Sequence, residues 1–384
     1  MNEIKNEMTP EQSNNAVMLQ AKLMHLKVNA SFIKLEAGPV VTGYYFKPAQ
    51  ATPVSKLMKL GEDLALATDS ERLTIQRVSG HIVVFVPNEK REVVEFKDYL
   101  HWYMTNDSEE FKSQILPIPL GVDYKGNKST FDLTTAPHVL IAGSTGAGKS
   151  VFESAIISCL CYKLSSDYLH LYLVDTKKVD LPLFSTLPHV KATVDNLDDF
   201  HFMMSKIMPE IRRRLTVLQG MSCRNIAEYH HMMGTEFIRK MPYIVIMMDE
   251  FGDLMELDYA ARKALKDKYD EIPSVKSWIK SLVQIGRAAG VHLIACTQRS
   301  SVKVVDGDIK ANLPTRIALR LPTGVDSRTI LGTIGAENLL GKGDMLVQRM
   351  DSDIIERFHG PYVSMNDIIQ LVNNYEQIKT MFAR

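Results

Sequence analysis

Short continuous apolar runs punctuate the chain at His138 to Ala142, Leu169 to Val174, Tyr243 to Met248, Val291 to Ala295 and Thr315 to Leu321. Runs of this length without polar interruption predict strands covered on both faces, the environment of a parallel sheet. Helical patterns fill the intervals between the first four runs. Alternating strand and helix predicts an α/β doubly wound domain with right-handed crossovers.

The region before Pro117 reads differently. Ala16 to His25 is helical in pattern, and Ala30 to Glu36 and Val40 to Phe46 are strand-like runs joined by Gly38-Pro39. Lys56 to Thr68 reads as one helix, and Leu73 to Val78 and His81 to Pro87 as strands split at Gly80. Glu92 to His101 continues this small α+β unit. Tyr124 to Thr130 predicts a hairpin, and a helix from about Met365 to Met381 ends the chain. The expected division is a flexible and helical segment over 1–24, a small α+β subdomain over 25–115 and a large α/β domain over 116–384.

Composition narrows this little. The 384 residues are 45% hydrophobic and 23% charged, the balance of a globular protein able to bury a large core. No apolar stretch reaches the roughly 18 residues that span a bilayer. The polar, acidic start MNEIKNEMTPEQSNN is unlike a signal peptide, so a cytoplasmic location and no membrane segment are expected. Cys159, Cys161, Cys223 and Cys296 match no zinc spacing and read as reduced packing residues. The formal net charge is zero, so any nucleic-acid surface must be local.

The candidate chemistry begins where the first buried strand ends. Gly143, Ser144, Thr145, Gly146, Ala147, Gly148, Lys149 and Ser150 fit the pattern G-x-x-x-x-G-K-S, with Val151 next in a predicted helix. Glycines let backbone N–H groups curl around an anion, and a helix N-terminus adds its dipole. Lys149 is expected to reach the β- and γ-phosphates of ATP, and Ser150 to ligate Mg²⁺. A second strand ends in Asp249 and Glu250. Acids at the C-terminal end of a parallel strand face the ligand crevice. Asp249 is placed to hold the Mg²⁺ shell, and Glu250 to orient and deprotonate water, which favours hydrolysis over transfer to a small molecule. Thr297 and Gln298, at the tip of the strand from Val291, are candidates for contact with the γ-phosphate or the attacking water. Arg287 precedes that strand. The pattern leaves it open between a surface arginine and one reaching a neighbouring subunit's nucleotide.

Together these motifs resemble the FtsK/SpoIIIE family of hexameric double-stranded DNA translocases. The resemblance rests on GSTGAGKS (Gly143 to Ser150), LVDTKKVDL (Leu173 to Leu181), LPHV (Leu187 to Val190), RNIAEY (Arg224 to Tyr229), PYIVIMMDEFGDLM (Pro242 to Met255), GRAAGVHLIACTQR (Gly286 to Arg299), IKANLPTRIAL (Ile309 to Leu319), DSRTIL (Asp326 to Leu331) and GAENLLGKGDML (Gly335 to Leu346). AGPVVTGYYF (Ala37 to Phe46) and VPNEKREVV (Val86 to Val94) extend it to the small unit.

The resemblance implies a RecA-like P-loop core and a ring, with DNA through the pore. It also implies an ATP site shared between subunits with Arg287 acting in trans, and pore loops carrying Arg299 and Arg328. Lys303 and Lys310 are further basic candidates for DNA phosphate. Against the family pattern, the chain is expected to lack a membrane-spanning N-terminal region and a C-terminal winged-helix module. Its charged segment Glu256 to Lys280 is long, with a solvated helical hairpin expected there, and Ser300 stands after Thr-Gln-Arg where the family usually has proline. The leading expectation is a stand-alone DNA motor. Alternatives are an ATPase of the same core acting on a protein substrate and a nucleotide-dependent regulatory module.

Overall fold

The structure is a computed structural model that describes residues 8–382 except 51, 79, 235–239, 301–303, 351 and 353, and leaves undescribed the side chains of 266, 267 and 378–382. Its described strands are β1 (Ala30–Ala37), β2 (Val41–Pro48), β3 (Thr74–Val78), β4 (His81–Pro87), β5 (Pro117–Asp123), β6 (Lys128–Asp132), β7 (His138–Ala142), β8 (Leu169–Val174), β9 (Val190–Val194), β10 (Tyr243–Met248), β11 (Val291–Thr297), β12 (Thr315–Leu319), β13 (Asp344–Gln348) and β14 (Ile355–His359). They form an antiparallel sheet ordered β1-β2-β4-β3 and a large sheet ordered β6-β5-β14-β13-β12-β7-β11-β10-β8-β9. In the large sheet β12, β7, β11, β10, β8 and β9 run parallel, and β13, β14, β5 and β6 extend it antiparallel.

The apolar runs explain the parallel part. Every residue of β7, β10 and β11 is buried, because helices cover both faces. Residues of one strand divide between two cores: Val139 and Ile141 face one cluster, Leu140 and Ala142 the other. This is the RecA-like α/β core expected from the sequence, preceded by a small antiparallel sheet.

Several local expectations change. The first helix runs Pro10–His25, six residues earlier than its apolar pattern suggests. Thr9 and Gln12 form a reciprocal capping box ahead of Pro10, a start signal that hydrophobic periodicity cannot show. The helix expected over Lys56 to Thr68 is two short ones, Val54–Leu57 and Gly61–Ala67. β9, β13 and β14 were not expected; β13 and β14 place Asp344 and Arg357 in the interior, which breaks the apolar pattern. The helix Phe96–Thr105, read with the small unit, presents Phe96, Tyr99 and Tyr103 to the core of the large sheet. Glu256 to Lys280 overlaps two helices, Phe251–Ala264 and Val275–Ile285, joined through the short helix Lys266–Tyr269. It is not a solvated hairpin, because Tyr269, Val275 and Ile279 are buried in the core. The connection is tied: buried Asp258 accepts from Arg262 Nε at 2.9 Å and Val275 N at 3.1 Å, and Arg262 also donates to the carbonyls of Tyr269 and Ile272.

Candidate nucleotide site at the sheet edge

The order β12-β7-β11-β10-β8 puts the C-terminal ends of five parallel strands in a row. The chain leaves β7 toward β8 on one side, with β12 on the other. This reversal opens the crevice where α/β sheets bind ligands. Gly143 to Ser150 occupies it.

Backbone bonds fix the loop to both neighbours of β7. Gly143 N donates to Thr297 O at 3.1 Å, and Ser144 N to Arg320 O at 2.9 Å. Gly148 has φ 100°, and a Cβ there would stand 2.5 Å from Gly343 N, so neither the conformation nor the space admits another residue. Gly343 N in turn donates to Ala147 O at 2.9 Å. The helix Lys149–Lys163 then opens with no side-chain cap, which leaves first-turn N–H groups for an anion.

Lys149 is only 4% exposed, and its ammonium points inward. It donates to Glu153 Oε1 at 2.9 Å, to Asp249 O at 3.0 Å and to the Asp249 carboxylate. Burial opposes its charge, but Glu153 and Asp249 outweigh that and hold it well above its ordinary value. Glu250, next after Asp249, is also buried. Its Oε1 accepts from Thr297 Oγ1 at 2.5 Å, and its Oε2 from Gln298 N at 2.6 Å. Burial raises the Glu250 carboxyl against these two hydrogen bonds, the direction required of a base at neutral pH. The Gln298 side chain accepts from Thr145 Oγ1 at 3.0 Å, linking the loop to the strand that holds Glu250.

Lys149, Ser150, Asp249, Glu250, Thr297 and Gln298 are therefore gathered at one edge. Arg287 is not. It is exposed and precedes β11, at the opposite end of a strand spanning roughly 20 Å. Its charge bears on His138, at the start of β7, rather than on the loop beyond the end of β7. The basic candidates also spread. Arg299 follows Gln298 but is paired with Asp253 at 3.2 Å and with Glu256. Arg328 is exposed on the helix Gly324–Leu331 after β12, and Lys310 lies on the short helix Gly307–Asn312 that leads into β12. Lys303 lies outside the described residues.

Two residues of this edge escaped the sequence reading. Glu153 is fully buried four residues after Lys149, and its signal was the lone acid of a helix rich in apolar residues. Asp175 follows β8 and is fully buried; its carboxylate accepts from the backbone N–H groups of Lys177, Lys178, Val179, Asp180 and Leu181. It shapes the loop whose Lys177 reaches Asp253 at 3.5 Å.

No helix among the described residues is long and apolar enough to cross a membrane.

The chain is 34% identical to the DNA translocase FtsK of Borreliella burgdorferi over 98% of its length and 47% of that protein's. It is 37% identical to that of Staphylococcus aureus (strain Mu50), over 93% of its length and 44% of the relative's. The chain thus spans about half the length of the curated relatives it matches. Among solved structures it resembles the pCW3 conjugation coupling protein TcpA in monomer form with ATPγS: TM-score 0.59, 22% identity, 93% of this chain and 99% of that one. It also resembles the cytoplasmic domain of the Thermomonospora curvata Type VII secretion ATPase EccC, with TM-score 0.56, 26% identity, and 67% and 31% of the two chains covered. The model of the FtsK alpha domain matches residues 1–88. The model of the FtsK/SpoIIIE family matches residues 103–302, which hold the phosphate loop, the acidic pair and the tip of β11, and the chain belongs to that family.

Proposed function

We propose that the chain is the motor of an ATP-driven double-stranded DNA translocase. The observation that carries this is the convergence of Lys149, Asp249 and Glu250 on one strand-edge crevice, in a chain whose relatives are named DNA translocases.

The residues fit Mg²⁺ and ATP. A glycine cradle stands before an uncapped helix N-terminus, and the buried carboxylates of Asp249, Glu250 and Glu153 outnumber the single ammonium of Lys149. Ser150 and Asp249 would hold the metal, and Gly143 to Val151 the phosphates. Bound there, Mg²⁺ supplies neutralisation of phosphate charge and polarisation of the bond to be broken. Lys149 contributes a positive charge to the phosphates. Glu250, held from both oxygens by Thr297 and Gln298, orients the water and takes its proton. Gln298 and Thr145 carry the state of the loop to that glutamate.

Arg287, far from its own loop, acts on the site of the next subunit in a ring, a hexamer by family precedent. Mixing Arg287→Ala with Lys149→Ala subunits tests this: each is inactive alone, and the mixture regains turnover because some interfaces join two intact halves. No regain would overturn it. Arg299, Arg328, Lys310 and Lys303 are assigned to DNA phosphate, contacts that weaken steeply with salt.

The deciding measurement is ATP hydrolysis with and without long duplex DNA. A several-fold rise is expected; no rise from an assembled ring would sink the proposal. The likeness to a secretion ATPase gives a protein substrate as the second reading, and stimulation by a polypeptide but not by duplex DNA would select it.

A further inference from the structure

A lysine ammonium has three hydrogens to donate. Those of Lys149 have three acceptors inside the protein: Glu153 Oε1, the carbonyl of Asp249 and the Asp249 carboxylate. A phosphate oxygen can engage this ammonium only if at least one of these bonds breaks. Asp249, as the residue that would hold Mg²⁺, would then share its carboxylate between the metal and Lys149. The proposed mechanism gives Glu153 no contact with nucleotide, metal or water. Its Oε1 binds Lys149, while the carboxyl is buried against the thiol of Cys296.

Glu153 is also out of keeping with its surroundings. The neighbouring helix residues Phe152, Ala155, Ile156 and Ile157 are buried apolar side chains, and Glu153 itself is fully enclosed. A buried acid is tolerated because its counter-ion lies one helical turn away, at i,i+4. When Lys149 turns to a phosphate, that acid loses its charged hydrogen-bond donor and is left with the thiol of Cys296.

We infer that Glu153 is a positioning residue that holds Lys149 withdrawn from the phosphate loop in the nucleotide-free motor, lowering its affinity for ATP and recapturing the lysine when the phosphates leave. The inference rests on the reading of Lys149 as the phosphate-binding lysine. Apparent affinity falls by the fraction of molecules in which the binding group is withdrawn. Removing the competing carboxylate therefore tightens binding, whereas a residue that served only to support the helix would weaken it when replaced. Burial pushes the Glu153 carboxyl well above the usual carboxylate range against the pull of Lys149, in keeping with an acid that tolerates losing its partner.

The test measures equilibrium binding of ATPγS with Mg²⁺ to the full chain and to Glu153→Gln, Glu153→Met, Lys149→Ala and the double variant Glu153→Gln/Lys149→Ala. Thermal melts without nucleotide identify which variants are folded. The expected result is a Kd about three- to tenfold lower in Glu153→Gln. Glu153→Met should move the same way, and the gain should be absent in the Lys149→Ala background. In turnover, KM should fall while kcat does not rise, because recapture of Lys149 assists product release. Unchanged or weaker binding in a folded Glu153→Gln, with Lys149→Ala weakened, would overturn the inference and leave the role of Lys149 intact. Normal nucleotide binding by Lys149→Ala would overturn the reading of Lys149, and this inference with it.

Discussion

Asp344 and Arg357 meet between β13 and β14; Lys149 and Asp249 meet at the ends of β7 and β10. All four side chains are almost wholly buried, yet the two pairs differ in balance and in what holds them. Arg357 grips Asp344 through two bonds, Nε to Oδ1 at 2.9 Å and Nη2 to Oδ2 at 2.6 Å, and its guanidinium lies over the ring of Phe85. That is one cation to one anion, on strands bonded in register. Lys149 faces Asp249 and Glu153 together, with Glu250 buried beside them, at loop ends rather than within strands. Balanced buried charge in a sheet fixes geometry. An excess of buried carboxyls over ammonium groups at strand ends leaves oxygen ligands for a further cation and, on our inference, a lysine that changes partner. The contrast separates structural charge from functional charge within one molecule.

The contrast breaks most visibly if Lys149→Ala keeps hydrolysing ATP. Turnover is expected to fall roughly a thousandfold, as for loss of a main transition-state charge partner. Assembly should persist, and phosphate release with size-exclusion measurements would check both. Arg357→Ala should do the opposite. It strands Asp344, with a loss of about 3–5 kcal/mol of stability by urea unfolding. A loss below about 1 kcal/mol, the range of an exposed pair, would erase the structural half of the comparison.

A smaller effect sharpens the functional half. Thr297→Val removes the donor to Glu250 Oε1 while keeping the shape, and about a tenfold fall in kcat with little change in nucleotide affinity is expected. Equal effects on affinity and kcat would mean that Thr297 supports the loop instead.

The smallest effect concerns charge in neither class. Glu36 accepts from Lys34 and Tyr45, pairs with Lys125 at 3.1 Å, and joins the small sheet to the β5–β6 hairpin. Burial raises its carboxyl, but these donors outweigh that and bring it to about 2 from 4.5. A lowered folded value means that its stabilisation is complete above about pH 4.5 and is lost as pH falls toward 2. Solvent screens the pair, so a fraction of about 1 kcal/mol is expected. The stability gap between wild type and Glu36→Gln should be measurable at pH 6 and shrink at pH 3; a constant gap would show that charge is not the cause.

Much of this was legible in the amino-acid order. The buried parallel strands follow from short apolar runs such as Tyr243 to Met248, since a strand buries successive residues only where its sheet is covered on both faces. The phosphate loop and acidic pair follow from glycine, lysine and carboxylate at strand ends, where the chemistry needs them. These signals are local. β13 and β14 were not legible, because a buried Asp344–Arg357 pair looks like exposed charge until both strands are in place. The two ends of β11 show the same division. The chain itself sets Thr297, Gln298 and Arg299 beyond the strand and Arg287 before it. Only the tertiary structure decided that the first two hold Glu250 and Thr145, that Arg299 is tied to Asp253 and Glu256, and that Arg287 lies away from its own loop. Glu153 is the plainest case. In sequence it is the lone acid of a helix rich in apolar residues, and the fold makes it the partner of Lys149, because burial forces a charge to find its counter-ion within reach.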